Sequence, residues 1–116
     1  MSLRVKVIRF LINLNENIFF YPKLKRVYET LNIKNNLTII DVGTNRGQTI
    51  DFFSKNFKIK TLVGFEPNPT LFNLLVKKYQ HYSNIKIINC GVSSKNKKII
   101  FYKNILDETS TFENIN

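Results

Sequence analysis

Two carboxylates and two glycines carry the chemical signal in this sequence. Asp41 stands two residues ahead of Gly43, and Gly47 follows, inside "TIIDVGTNRGQTIDFF", residues 38–53. Glu66 comes 25 residues after Asp41, at the end of "KTLVGFE". Glycines after an apolar run let the backbone turn tightly and let a ligand approach closely. An acid at the end of the next apolar run is placed to accept hydrogen bonds from ribose hydroxyls. The combination points to a nucleoside-containing cofactor.

The spacing bears on which cofactor. A dinucleotide fingerprint reads G-x-G-x-x-G, whereas D-V-G-T-N-R-G lacks the first close glycine pair. An acid stands where dehydrogenases place a glycine. A carboxylate there suits a cationic ligand better than a pyrophosphate, and S-adenosylmethionine carries both a sulfonium and an ammonium. No G-K-[ST] follows, which excludes a P-loop. An NAD-binding Rossmann-like module is the first alternative. A non-enzymatic basic module that binds nucleic acid or acidic lipid is the second.

These residues need strands and helices to hold them. "LTIIDV" (37–42) is mostly β-branched and lacks alternation, the pattern of a strand buried on both faces of a parallel sheet. Ile50, Phe53 and Phe57 give a short helix its apolar face. "KTLVGFE" (60–66) reads as a second strand. Asn68-Pro69 then supplies an N-cap and first-turn pair. Leu71, Phe72, Leu75 and Tyr79 mark a helix ending near Tyr82. "NIKIINC" (84–90) reads as a third strand, and "KNKKIIFYK" (95–103) as a fourth whose lysines suit an edge. The polar tail "ILDETSTFENIN" carries no trusted element. Alternating units with short loops predict an open parallel sheet with helices on both faces.

Ahead of this lies a helical lead-in, residues 1–35, with the main domain at 36–116. Leu3, Val7, Phe10, Leu11 and Leu14 recur at helical spacing. The favoured reading is a helix packed on the domain. The competing one is a membrane-surface helix, against which stands the scatter of Arg4, Lys6 and Arg9 around it. Pro22 is expected to open a second helix carrying Leu24, Val27, Tyr28 and Leu31, which "NIKNN" (32–36) ends.

With these elements in place, three segments resemble one family. "IIDVGTNRGQT", "VGFEPNPTLFNLL" and "IKIINCGVSS" are similar to the first half of an FkbM-family methyltransferase, over about residues 37–112. E-P-x-P after the second strand is the most telling part. The resemblance implies an α/β fold: a partial class I methyltransferase (Rossmann-like) three-layer sandwich with an incomplete, mostly parallel sheet. It implies S-adenosyl-L-methionine as cofactor and O-methylation of a sugar, glycan or small-metabolite hydroxyl. Asp41, Gly43, Thr44, Asn45 and Gly47 fall in its first cofactor motif, at the methionine end. Glu66 matches the ribose acid, with Pro67 and Asn68 beside it. Cys90, Gly91 and Val92 fall where adenine contacts are expected. Thr44 and Arg46 replace residues that are commonly Ala and Ile. Arg46 is expected to point outward or towards the cofactor carboxylate. Ser110 falls near a serine-containing stretch of the family.

Composition sets outer bounds. The chain has 116 residues, one Cys and a formal charge of +10. One Cys excludes an internal disulfide and a Cys-rich metal site, and fits a cytoplasmic setting. The charge alone suggests nucleic acid or an anionic membrane. The 16 Asn and the absence of Ala suggest instead a coding bias that inflates Lys. A specific nucleic-acid partner is therefore not expected, and an RNA methyltransferase fits the charge but not E-P-N-P. No run approaches the ~20 apolar residues of a membrane span, and no metal site is visible. His81, the one His, sits at a helix end rather than as a base. Cys90 reads as a small buried hydrophobe, and Tyr79 and Tyr82 as packing residues. The family's later acidic K-I-D-x-E-G-type strand is absent. The sequence therefore reads as an N-terminal fragment, a truncated product or one part of a split enzyme. Alone it is expected to be inactive, with no nameable base.

Overall fold

The computed structural model describes residues 3–33, 35–95, 100–102 and 111–113, the last two segments by their backbone alone. The chain forms two compact units, Met1–Lys34 and Asn35–Asn116.

In the first unit, α1 (Leu3–Asn15) passes through a π-helical turn, Glu16–Phe20, into α2 (Tyr21–Thr30). Pro22 was expected to open a separate helix. The helical path instead runs through it, with Phe20 and Tyr21 both in the right-handed helical region. Proline lacks an N–H and crowds the carbonyl four residues back. Just ahead of it the Tyr21 N–H reaches five residues back, to Glu16 O, and this wider turn accommodates the ring. Asn32 then closes α2 in the left-handed region, φ 56°. Its N–H bonds to Glu29 O at 3.0 Å and that of Ile33 to Tyr28 O at 2.9 Å, a Schellman closure. Within this unit the stripe Leu3, Val7, Phe10, Leu11 and Leu14 is exposed along its length. The half-buried positions of α1 are Val5, Arg9 and Ile12, on the other side of the helix. Among the described residues no helix is long and apolar enough to cross a membrane.

In the second unit, β1 (Leu37–Val42), β2 (Ile59–Phe65) and β3 (Ile85–Ile88) form a parallel sheet in the order β1-β2-β3. α3 (Gln48–Asn56) and α4 (Pro69–Tyr79) make the two crossovers. Strands that succeed one another in a single direction through right-handed crossovers put both helices on one face. The core agrees: Ile50 of α3 and Leu75 and Tyr79 of α4 share a buried cluster with Leu62 of β2. The register places Ile39, Leu62 and Ile85 in one inward row, and Asp41, Gly64 and Ile87 in the next.

Three expectations are revised here. First, β1 alternates rather than being buried on both faces, with Ile40 69% and Val42 60% exposed. Both helices lie on the Ile39 face, and among the described residues no layer covers the other. Second, Phe52 joins Ile50 and Phe53 in the buried face of α3, while Phe57 is only half-buried beyond its end. Third, the fourth strand is short and leaves the parallel sheet. β4 (Ile100–Tyr102) pairs antiparallel with β5 (Thr111–Glu113), inside the tail where no element was expected. Residues 96–99, Lys103 and Ser110 lie outside the described residues.

Leu75→Ala should lower stability by about 2–5 kcal/mol, because it opens a cavity between α4 and the sheet. Leu74→Ala, next to it on the exposed side, should stay within about 0.5 kcal/mol. Urea unfolding midpoints of the two variants test this orientation of α4.

Candidate functional site

The site assembles at the carboxyl ends of β1, β2 and β3, around Glu66. Glu66 follows β2 directly and is 4% exposed. Its Oε2 accepts the Asn45 N–H at 2.7 Å and its Oε1 accepts the Asn68 N–H at 2.8 Å. One carboxylate therefore ties the glycine turn to the start of α4. Each oxygen keeps a further lone pair for a ligand. Its backbone N–H bonds to Ile88 O at 3.0 Å, which extends the β2–β3 ladder under the site.

The glycine turn continues the β1–β2 ladder before it bends. The N–H groups of Gly43 and Thr44 both reach Phe65 O, at 2.9 and 3.1 Å. The Gly47 N–H then bonds to Thr44 O at 2.9 Å, which closes a turn with Asn45 at φ 53°. Asparagine tolerates that region better than most residues. Gly43 has φ +78° and a side chain built there would meet nothing within 4 Å. Gly47 has φ +85°, but a Cβ there would run into the Tyr79 hydroxyl, with two ring carbons at 3.0 Å. The two glycines thus serve different purposes: Gly43 borders open space, and Gly47 makes room for a tyrosine.

That tyrosine belongs to a clamp from α4. The Tyr79 hydroxyl lies 2.9 Å from Gly47 O and 2.7 Å from Asp51 Oδ1. Burial, then the Asp51 carboxylate, hold its proton far more tightly than in an ordinary tyrosine. Lys78 Nζ donates to Arg46 O at 3.2 Å and to Asp51 Oδ2 at 2.6 Å. Tyr79 therefore packs, as expected, and also fixes the turn.

Asp41 ends the inward row of β1, beside Gly64. Burial raises its pKa above the ordinary 3.8; the Thr44 hydroxyl offsets part of this and the nearby Glu66 carboxylate adds to it. Its Oδ2 is buried and lacks a hydrogen-bond partner among the described residues, as do Asn45 Oδ1 and Asn68 Nδ2. Orphaned buried polar atoms are rare, and three of them flank this turn. Two are acceptors, which suits a ligand that brings a cation.

The remaining candidates are placed as follows. The Thr44 side chain is buried over Gly64, its hydroxyl 3.3 Å from Asp41 O and 3.4 Å from Phe65 O. Arg46 is half-buried. Pro67 is half-buried; Asn68 is buried and caps α4, with Oδ1 accepting the Thr70 N–H at 3.0 Å. Cys90, Gly91 and Val92 are exposed beyond β3, so Cys90 is not the buried hydrophobe expected. Its position explains this: β3 ends at Ile88, before the predicted boundary. His81 is exposed just past α4. Among the described residues no three of His, Cys, Asp and Glu gather as metal ligands do.

Two residues escaped the sequence reading. Asn89 Nδ2 donates to Glu66 O at 2.7 Å and Pro67 O at 3.2 Å, which holds the acidic loop against the tip of β3. Nothing in its type or spacing announces that. Gly64 leaves space for Thr44, whose Oγ1 would lie 2.6 Å from an added Cβ. A glycine inside a strand pattern was its available signal.

No protein-family model matches the chain, and no curated protein matches it. Solved structures do. The YcgJ protein of Bacillus subtilis matches over 68% of this chain and 32% of its own, at 14% identity and TM-score 0.51. The 23S rRNA methyltransferase ErmE matches over 60% and 28%, at 20% identity and TM-score 0.46. The methyltransferase FkbM of Methylobacillus flagellatus KT matches over 66% and 21%, at 14% identity and TM-score 0.44. The fold is a Rossmann-like α/β fold, present in part. The chain spans about a third or less of the length of these neighbours. At such identities the likeness concerns fold, and the site must be argued from its own atoms.

Two outcomes follow from this geometry. Gly47→Ala should cost at least about 1–2 kcal/mol from its left-handed backbone alone. Adding Tyr79→Phe should recover part of the remaining loss, and denaturation of the four proteins of the cycle measures it. Asp41 has its folded pKa raised above the unfolded 3.8, so the fold holds a proton that the unfolded chain releases. Stability from that proton is present at low pH and lost as pH rises through the folded pKa. Asp41→Asn should therefore be more stable than the wild type at neutral pH, and the advantage should vanish in acid.

Proposed function

We propose that this chain carries the cofactor side of an S-adenosylmethionine-dependent methyltransferase of the FkbM type. The observation that carries the reading is the pairing at β1: a buried, unpartnered Asp41 oxygen beside open space at Gly43. A carboxylate kept partly desolvated without a partner is costly unless a cation completes it. Bound S-adenosylmethionine would supply that cation, and an electrophilic methyl group on its sulfonium.

The chain's own residues then take distinct tasks. Asp41 and Asn45 offer acceptors to the ammonium at the methionine end. Gly43 leaves the approach free of side-chain atoms. Glu66, already held by two backbone amides, uses its remaining lone pairs for the ribose hydroxyls. Pro67 and Asn68 keep that carboxylate in place beside α4. Cys90, Gly91 and Val92, exposed past β3, form the adenine side. The acceptor of the methyl group is a hydroxyl of a sugar, glycan or small metabolite, on the strength of the E-P-N-P resemblance. No base is assigned.

Calorimetry on the full chain with S-adenosylhomocysteine and with NAD tests the reading. Binding of the first and not the second is expected; binding of NAD alone would overturn it. Asp41→Asn should abolish S-adenosylhomocysteine binding although the protein remains folded. Wild-type affinity for S-adenosylmethionine should fall as pH drops through the raised pKa range of Asp41, because the protonated acid no longer pairs with the ammonium.

A further inference from the structure

The first unit carries a surface that the proposed activity does not use. Leu3, Val7, Phe10, Leu11 and Leu14 form one stripe along α1, and every one is exposed, Leu3 by 76% and Phe10 by 63%. At about 100° per residue the stripe centres near Leu14, with Arg4 about 80° to one side and Lys6 about 80° to the other. Both cations are exposed. They do not make one tight face, and for this purpose they need not. Long cationic side chains that border an apolar stripe lay their stems along it and carry their charges up to a polar boundary. Further along the same run, Phe19 and Phe20 are exposed in the π-helical turn.

Charge selects the partner. Residues 3–33 hold Arg4, Lys6, Arg9, Lys23, Lys25 and Arg26 against Glu16 and Glu29. A second copy of this chain would set +10 against +10, which opposes self-association through a basic helix. A nucleic acid would meet the cations but leave the apolar stripe in water. A bilayer with anionic headgroups satisfies both features at once: the stripe enters the acyl boundary while the cations meet phosphates. No helix among the described residues is long and apolar enough to cross the hydrocarbon layer.

We propose that α1 docks the protein on an anionic membrane surface, through the Leu3–Leu14 stripe with Arg4 and Lys6 bordering it. The helix lies in the plane of the interface and does not span it.

Vesicle co-sedimentation of the full chain tests this. Vesicles of phosphatidylcholine with phosphatidylglycerol should retain the protein, and pure phosphatidylcholine should retain little. Phe10→Glu, at an exposed position, should weaken partition by at least about tenfold. Arg4→Glu with Lys6→Glu should also weaken it, and added salt should do so for the wild type. Circular dichroism checks that each variant keeps the wild-type fold. Failure of the wild type to bind anionic vesicles would overturn the proposal. So would binding that Phe10→Glu leaves unchanged, or a dimer in sedimentation equilibrium that Phe10→Glu abolishes.

Discussion

The second unit depends on one carboxylate. Glu66 accepts the N–H of Asn45 on one oxygen and that of Asn68 on the other. Hydrogen bonds to an ionised acceptor are stronger than neutral ones, and here both donors are backbone. The bond to Asn45 folds the glycine turn towards β2. The bond to Asn68 sets the residue that caps α4. Through its backbone Glu66 also joins β3, by Ile88 O and Asn89 Nδ2. A residue that a sequence reader assigns to a ligand is thus first a joint between three strand ends.

A second restraint arrives from the far side of the turn. Tyr79 and Lys78, at the end of α4, hold Gly47 O, Arg46 O and Asp51. The turn is therefore fixed at Asn45 by β2 and at Gly47 by α4, with its shape set before any ligand arrives. Binding to a preformed loop avoids the entropy cost of ordering it. Among the described residues, three buried side-chain atoms around the turn lack a hydrogen-bond partner: Asp41 Oδ2, Asn45 Oδ1 and Asn68 Nδ2. Local destabilisation of this kind belongs to binding sites, where the surroundings hold a group in a state it would not choose alone.

Much of the βαβ framework was legible. Apolar runs ending in Asp41 and Glu66 marked two strand ends, and Asn68-Pro69 marked the start of α4. Asn32 ended the second helix as its residue type suggests. Burial was less legible. "LTIIDV" shows no clean alternation, and only the shared face of α3 and α4 decided that Ile39 turns inward while Ile40 and Val42 face water. β5 was invisible because three paired residues in a polar tail carry no periodicity. The π-helical turn was invisible because Pro22 normally reads as a beginning, and a helix can widen to let it pass.

By itself, the sequence determined which chemistry the turn can offer. An acid two residues before a glycine, and another acid 25 residues on, are covalent facts that no folding alters. Tertiary structure decided what each of those groups is free to do. Gly43 borders open space and Gly47 a tyrosine 32 residues away, a difference that spacing cannot hold because it depends on how α4 packs. One oxygen of Asp41 is left wanting a partner while Glu66 already has two, because one residue ends the inward row and the other meets two backbone amides. Likewise the periodicity of α1 defines an apolar stripe, but only packing decides whether a stripe is covered, and within the first unit this one is not.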